Sequence, residues 1–131
     1  MIVVDASVLV VALADDGADG DAARVRLGGE ELAAPELIDL EVLSVLRGLV
    51  RGRSMPERRA RLALADLADL PLTRAPHTAL LERCWQLRST VTPYDAAYVA
   101  LAEAFDCPLL TADVRLSRAS GVRCLVEVLQ V

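Results

Sequence analysis

Four acids in this 131-residue chain stand where a surface explanation is hardest: Asp5, Glu41, Asp95 and Asp113. Apolar sequence surrounds each of them. Asp5 ends the run Ile2-Val3-Val4, which reads as a strand buried on both faces. In open α/β sheets, ligands bind at the carboxyl ends of strands. Asp113 follows Leu109-Leu110-Thr111 across Ala112, a second junction of strand, carboxylate and helix. Asp95 follows Thr92-Pro93-Tyr94 at a helix start, and Glu41 lies mid-helix beside Leu37, Ile38, Ser44 and Val45. Three of the four also suit helix ends: Asp5 and Asp113 as N-caps, Asp95 in the first turn after a Thr92 cap. No cap explains Glu41, and burying an unpartnered carboxylate is costly.

Four carboxylates brought together repel one another and raise each other's pKa values. A hard divalent cation relieves that repulsion, and all-oxygen ligation suits Mg²⁺ or Mn²⁺ better than zinc. Such a site polarises a phosphate oxygen and activates water, the equipment for phosphodiester hydrolysis. Rival chemistries are thin. The single histidine, His77, has no motif around it and reads as a surface residue. Cys84, Cys107 and Cys124 are odd in number and contain no Cys-x-x-Cys, so they read as small hydrophobes rather than zinc ligands or disulfides. All fourteen basic residues are arginine, which excludes a Walker P-loop.

The elements that must position the acids alternate between strand and helix. Strand 2–4 leads into a helix over 6–14. A turn-forming loop precedes a short helix over 21–27. Residues 32–34 form a weak strand, and Pro35 opens a helix to about Val50. Ser54 and Glu57 form a capping box for a helix to about Leu70. Residues 70–73 are a strand, 76–88 helical, 92–104 helical, 108–111 a strand, 113–118 a short helix and 123–128 a last strand. This alternation argues for an α/β domain spanning residues 1–131 around a mostly parallel sheet. The remaining acids, among them Asp39, Glu30, Glu103 and Glu127, read as solvated faces, and Asp15, Asp16, Asp19 and Asp21 as a polar loop.

Apolar residues make up 54% of the chain, enough to suggest an oligomer or partner surface. The run Ala6 to Ala14 falls far short of the roughly 18 residues of a membrane span. The apolar start carries Asp5 and no early basic residue, so it is not expected to be a signal peptide, and the expected location is cytoplasmic. Net charge is −5, yet Arg47, Arg51, Arg53, Arg58, Arg59 and Arg61 cluster against Glu57 alone. That patch suits an RNA backbone or an acidic protein segment. Few aromatics leave little room for base stacking.

Asp5 in Val-Val-Asp-Ala-Ser, the helical Glu41, the stretch Tyr94-Asp95-Ala-Ala-Tyr-Val-Ala-Leu-Ala-Glu and Leu109-Leu-Thr-Ala-Asp113 together resemble the PIN-domain nucleases, most of all the VapC-type toxins of toxin–antitoxin pairs. The resemblance covers essentially the whole chain. It implies a three-layer α/β/α sandwich and a Mg²⁺ or Mn²⁺ site at the residues matching Asp5, Glu41, Asp95 and Asp113, with Ser7 and Thr111 supplying hydroxyls behind it. It implies endoribonuclease activity, an RNA substrate, a cognate antitoxin and a homodimer. Arg47, Arg51 and Arg115 become candidate RNA or antitoxin contacts. Some relatives place a further acid about three residues after the last one; here that position is Leu116, which argues against a full second metal site. A PIN-like module that binds RNA or protein without cutting is the competing expectation.

Overall fold

The computed structural model describes residues 1–130. Its strands are β1 (Ile2–Val4), β2 (Leu32–Pro35), β3 (Leu72–Ala75), β4 (Leu109–Thr111) and β5 (Val126–Val128). They pair in parallel throughout, in the order β3-β2-β1-β4-β5. Parallel neighbours need crossover connections, and helices supply them. These are α1 (Ala6–Ala14), α2 (Ala18–Leu27), α3 (Ile38–Arg51), α4 (Glu57–Asp69), α5 (Leu81–Gln86), α6 (Pro93–Ala104) and α7 (Val114–Ser117), with a 3₁₀ turn at Thr78–Leu80.

Crossovers are right-handed, so reversing their direction moves the helices to the other face. The chain steps from β1 through β2 to β3 one way, then crosses to β4 and β5 the other way. That puts α1–α4 on one face and α5–α7 on the other. The contacts agree: α1 packs on α2, α3 and α4, while α5 packs on α6. The result is the expected α/β/α sandwich.

The two central strands carry the core. Ile2, Val3, Val4, Leu109 and Leu110 are each at most 1% exposed. Withdrawing a side chain of that size from water is worth about 1.5–3 kcal/mol. β-Branched residues fit a strand covered on both sides, which explains the uninterrupted apolar run. Helix α1 is apolar all round and accordingly buried on most sides, and α6 buries Ala96 through Ala102. Helix α3 differs. It buries Ile38, Val42 and Leu46, one turn apart, and exposes Leu40 and Leu43.

Several expected boundaries move. Pro35 closes β2 instead of opening α3. It stands beyond the residues that β2 pairs with β1, where a missing N–H costs no ladder bond. Helix α2 begins at Ala18 rather than Asp21, and β3 and β5 are shifted to Leu72–Ala75 and Val126–Val128. The Ser54–Glu57 capping box does not form: Pro56 is the cap of α4, without a side-chain bond, and the Ser54 amide donates to the Leu49 carbonyl at 2.9 Å. The turn closing α3 has claimed it. The stretch 76–88 splits into the 3₁₀ turn and a six-residue helix. Among the described residues, no helix is long and apolar enough to cross a membrane.

Candidate active site

β1 is the strand from which the chain turns both ways, so its boundary with β4 is the switch point of the sheet. Helices leave that boundary toward opposite faces and a crevice opens at the strands' carboxyl ends. Asp5 and Thr111 stand side by side there. The register pairs Val4 with Leu110, and the Asp5 amide donates to the Leu110 carbonyl at 3.1 Å.

Asp5 is held from three sides. The Thr111 hydroxyl donates to Oδ2 at 2.5 Å and the Ser7 hydroxyl to Oδ1 at 2.5 Å. The Val8 amide donates to Oδ1 at 3.3 Å, so Asp5 caps α1 as well. Each hydroxyl is itself oriented by a backbone donor: Ala112 N–H reaches Ser7 Oγ and Asp113 N–H reaches Thr111 Oγ1, both at 3.0 Å. A hydroxyl has one proton, and here each spends it on Asp5.

Glu41 stands in the first turn of α3 rather than mid-helix as expected, because Pro35 belongs to β2 and the helix begins only at Ile38; it accepts a bond from the Tyr98 hydroxyl at 2.6 Å. Because α3 and α6 lie in opposite layers, this bond joins the two layers across the end of the sheet. Asp95 sits in the first turn of α6, whose Thr92 cap accepts from the Asp95 amide at 3.2 Å. Asp113 caps α7, accepting from the Arg115 amide at 2.9 Å, and pairs with the Arg115 guanidinium at 3.2 Å. Asp5, Glu41, Asp95 and Asp113, with Ser7, Ser44 and Tyr98, line one cleft of about 310 Å³.

The acids feel one another. Burial pushes the Asp5 carboxyl above its ordinary value, its hydroxyl and amide donors pull it back, and the charge of Asp95 adds to the rise. Burial also raises Glu41, against the Tyr98 hydroxyl, with Asp95 and Asp5 adding repulsion. Asp95 is raised by burial and then by Asp113. Asp113 goes the other way, because its bonds to Arg115 hold it ionised. The Tyr98 phenol, buried and facing Glu41, is pushed well above the usual range, so it remains a donor.

All donors in the cleft are oxygens, three of the carboxylates disfavour their own charge, and the pair of hydroxyls behind Asp5 aligns its two oxygens. That donor chemistry fits a hard divalent cation. Among the described residues, no three His, Cys, Asp or Glu side chains are already gathered as a metal site. The carboxylates share the cleft without closing on a point.

Alongside the apolar Ala6 and Val45, Tyr98 and Ser44 are the polar cleft residues that the sequence did not single out as part of the site. Each lies three residues beyond an acid on the same helix, Asp95 and Glu41, and therefore on the same side. Arg47 and Arg51 are exposed on α3 but do not line the cleft. Arg59 is tied to Asp16 at 2.9 and 3.0 Å and to the Leu13 carbonyl, and Arg61 to Glu57 at 3.1 Å, so the expected basic patch is smaller than its sequence. Other expectations change too. His77 is half-buried, and its Nε2 accepts the Leu37 amide at 3.0 Å, filling an orphan donor at the start of α3. Asp39 pairs with Arg74, Glu30 and Glu127 with Arg26, and Glu103 with Arg83 at 2.6 Å. A larger cavity, about 420 Å³, opens at the other end of the strands beside Cys107 and Cys124, but its Glu103 is already neutralised by Arg83.

The family description "PIN domain" matches residues 2–122. Ribonuclease VapC9 of Mycobacterium tuberculosis (strain ATCC 25618 / H37Rv) is 43% identical over 128 residues, covering 98% of both chains. Ribonuclease VapC1 of the same strain is 46% identical over 129 residues, covering 98% of this chain and 97% of that one. Among solved structures, Mycobacterium tuberculosis VapC20, described as a sarcin-ricin loop cleaving toxin, superposes with a TM-score of 0.68 at 18% identity, over 94% of this chain and 97% of that one.

Proposed function

The chain belongs to the PIN-domain family, and on that premise we propose that it is a VapC-type toxin: a divalent-metal-dependent endoribonuclease restrained by a cognate antitoxin. The observation that carries the reading is the convergence of four carboxylates, from both helical layers, on the switch-point cleft. Relatives named as ribonucleases match over nearly the full length.

In this reading Asp5, Glu41, Asp95 and Asp113 would hold Mg²⁺ or Mn²⁺, which would supply Lewis acidity toward a phosphate oxygen and a water. The protein's own contribution is positioning. Ser7 and Thr111 fix the rotation of the Asp5 carboxylate through both of its oxygens. Tyr98 fixes Glu41. Arg115 pairs with Asp113 and holds its carboxyl below the ordinary value. Leu40 and Leu43, one turn apart on α3 and both more than 40% exposed, suit a docked protein segment and support the antitoxin.

The test is cleavage of a structured RNA by the chain and by Asp5→Asn, with Mg²⁺ or Mn²⁺ and with EDTA. Cleavage by the unmodified chain alone, abolished by EDTA, is expected. Equal cleavage by both proteins, or indifference to EDTA, overturns the proposal.

A further inference from the structure

Beside the carboxylate cleft lies a second cavity, about 290 Å³, lined by Thr90, Val91, Thr92, Arg115, Leu116 and Ala119. Asp95 and Asp113 line both, so these two acids form the wall between them. We propose that this cavity is the subsite for the nucleotide that flanks the scissile bond, with Arg115 clamping its phosphate. The inference rests on the ribonuclease reading above and adds where the RNA runs.

Continuity is the first argument. A strand whose phosphate sits at the acid wall continues over that wall into the adjoining space. The volume lies at the low end for ligand cavities, which suits one nucleotide rather than several. The floor is the second. Val91, Leu116 and Ala119 give an apolar surface for a sugar or base. The two threonines at the rim are complementary: Thr92 Oγ1 already accepts from the Asp95 amide and retains its proton to donate, whereas Thr90 donates to the Leu87 carbonyl and retains lone pairs. No aromatic residue lines the cavity among the described residues, so the base is held by its edges and sugar rather than by stacking.

Charge is the third argument. A phosphate approaching four carboxylates is repelled, and Arg115 is the one cation lining either cavity among the described residues. Its side chain is 89% exposed, and its guanidinium touches Asp113 through Nε and Nη2 at 3.2 Å. That leaves N–H groups of the fork open to a phosphate oxygen, a geometry arginine favours.

The experiment measures binding of a short single-stranded RNA by anisotropy across a salt series, in the full chain carrying Asp5→Asn to prevent cutting. Arg115→Ala is expected to weaken binding roughly tenfold, the loss of one charge-assisted contact. It should also flatten the plot of log affinity against log salt by about 0.7, one phosphate contact on a single strand. Arg115→Lys restores the slope but only part of the affinity. Ala119→Leu, which fills the floor, weakens binding and shifts the cleavage positions when placed in the otherwise unmodified chain. Unchanged affinity and slope in Arg115→Ala overturn the subsite. So does a change confined to Mn²⁺ affinity measured by calorimetry, which would make Arg115 only a positioning residue for Asp113. The two readings fail separately. A chain that cleaves RNA while the Arg115 variants match it loses the subsite alone; a chain that neither binds nor cleaves RNA loses both. The arginine variants alter an exposed side chain, so they decide the matter even if Ala119→Leu does not fold.

Discussion

Tyr98→Phe isolates one hydrogen bond. Tyr98 is 2% exposed, and phenylalanine fills its space without opening a cavity, so only the hydroxyl is lost. That hydroxyl donates to Glu41 Oε1 at 2.6 Å. Hydrogen bonds to charged groups contribute about 1.5–3 kcal/mol. Glu41 is half-buried at a cleft that water can enter, so water replaces part of the donor and the low end applies, about 1.5 kcal/mol. For a chain of this length that corresponds to a melting temperature about 5 °C lower. The pH dependence follows from the direction of the Glu41 shift. Its folded pKa is already raised, so ionising it costs the fold stability as pH rises past the ordinary carboxylate value. The Tyr98 hydroxyl offsets part of that cost, and its loss pushes the carboxyl higher still. The deficit of Tyr98→Phe is therefore greatest at neutral pH and shrinks in acid. Urea unfolding of the metal-free protein at pH 7.5 and pH 4 measures it. Equal stability of the two proteins at pH 7.5, or the same deficit at both pH values, refutes the reasoning.

Asp5→Asn should remove cleavage yet stabilise the metal-free chain at neutral pH: the raised carboxyl costs the fold stability above the ordinary pKa, and asparagine still caps α1, so urea midpoints should diverge at pH 7 and converge near pH 3. Thr111→Val keeps the shape of a fully buried side chain but deletes the donor to Asp5 Oδ2, so the fold should lose about 1.5–3 kcal/mol in urea melts, and cleavage should fall with it. Arg83→Ala leaves the partly buried Glu103 without its charged partner and should cost about 1.5–3 kcal/mol by thermal unfolding. Burial disfavours the Glu103 carboxylate, but Arg83 and the Arg123 amide together hold it below its ordinary value, so the stability they contribute is present above that value and lost as pH falls through the lowered one; the penalty should fade in acid.

The order of strands and helices, and the oddity of four acids, were legible in the chain because both are written over a few adjacent residues. A β-branched run that ends in Asp5 states its own strand and exit. Thr92-Pro93 states a helix start, which the structure keeps. Glu41 stood out because its helical neighbours are apolar, a pattern a few residues wide. Partnerships across the fold were not legible. Glu103 and Glu127 have local surroundings like those of any solvated acid, and only folding brings Arg83 and Arg26 to them. Tyr98 meets Glu41 from 57 positions away, and His77 meets the Leu37 amide from 40. Pro35 follows a strand and precedes a helix, and its local preference serves either; the end of its pairing with β1 settled which. Local preference acts through neighbouring dihedrals and side chains one turn apart. Hydrogen bonds between distant residues depend on the sheet order and the handedness of its crossovers, and those determine which carboxylates share a cleft.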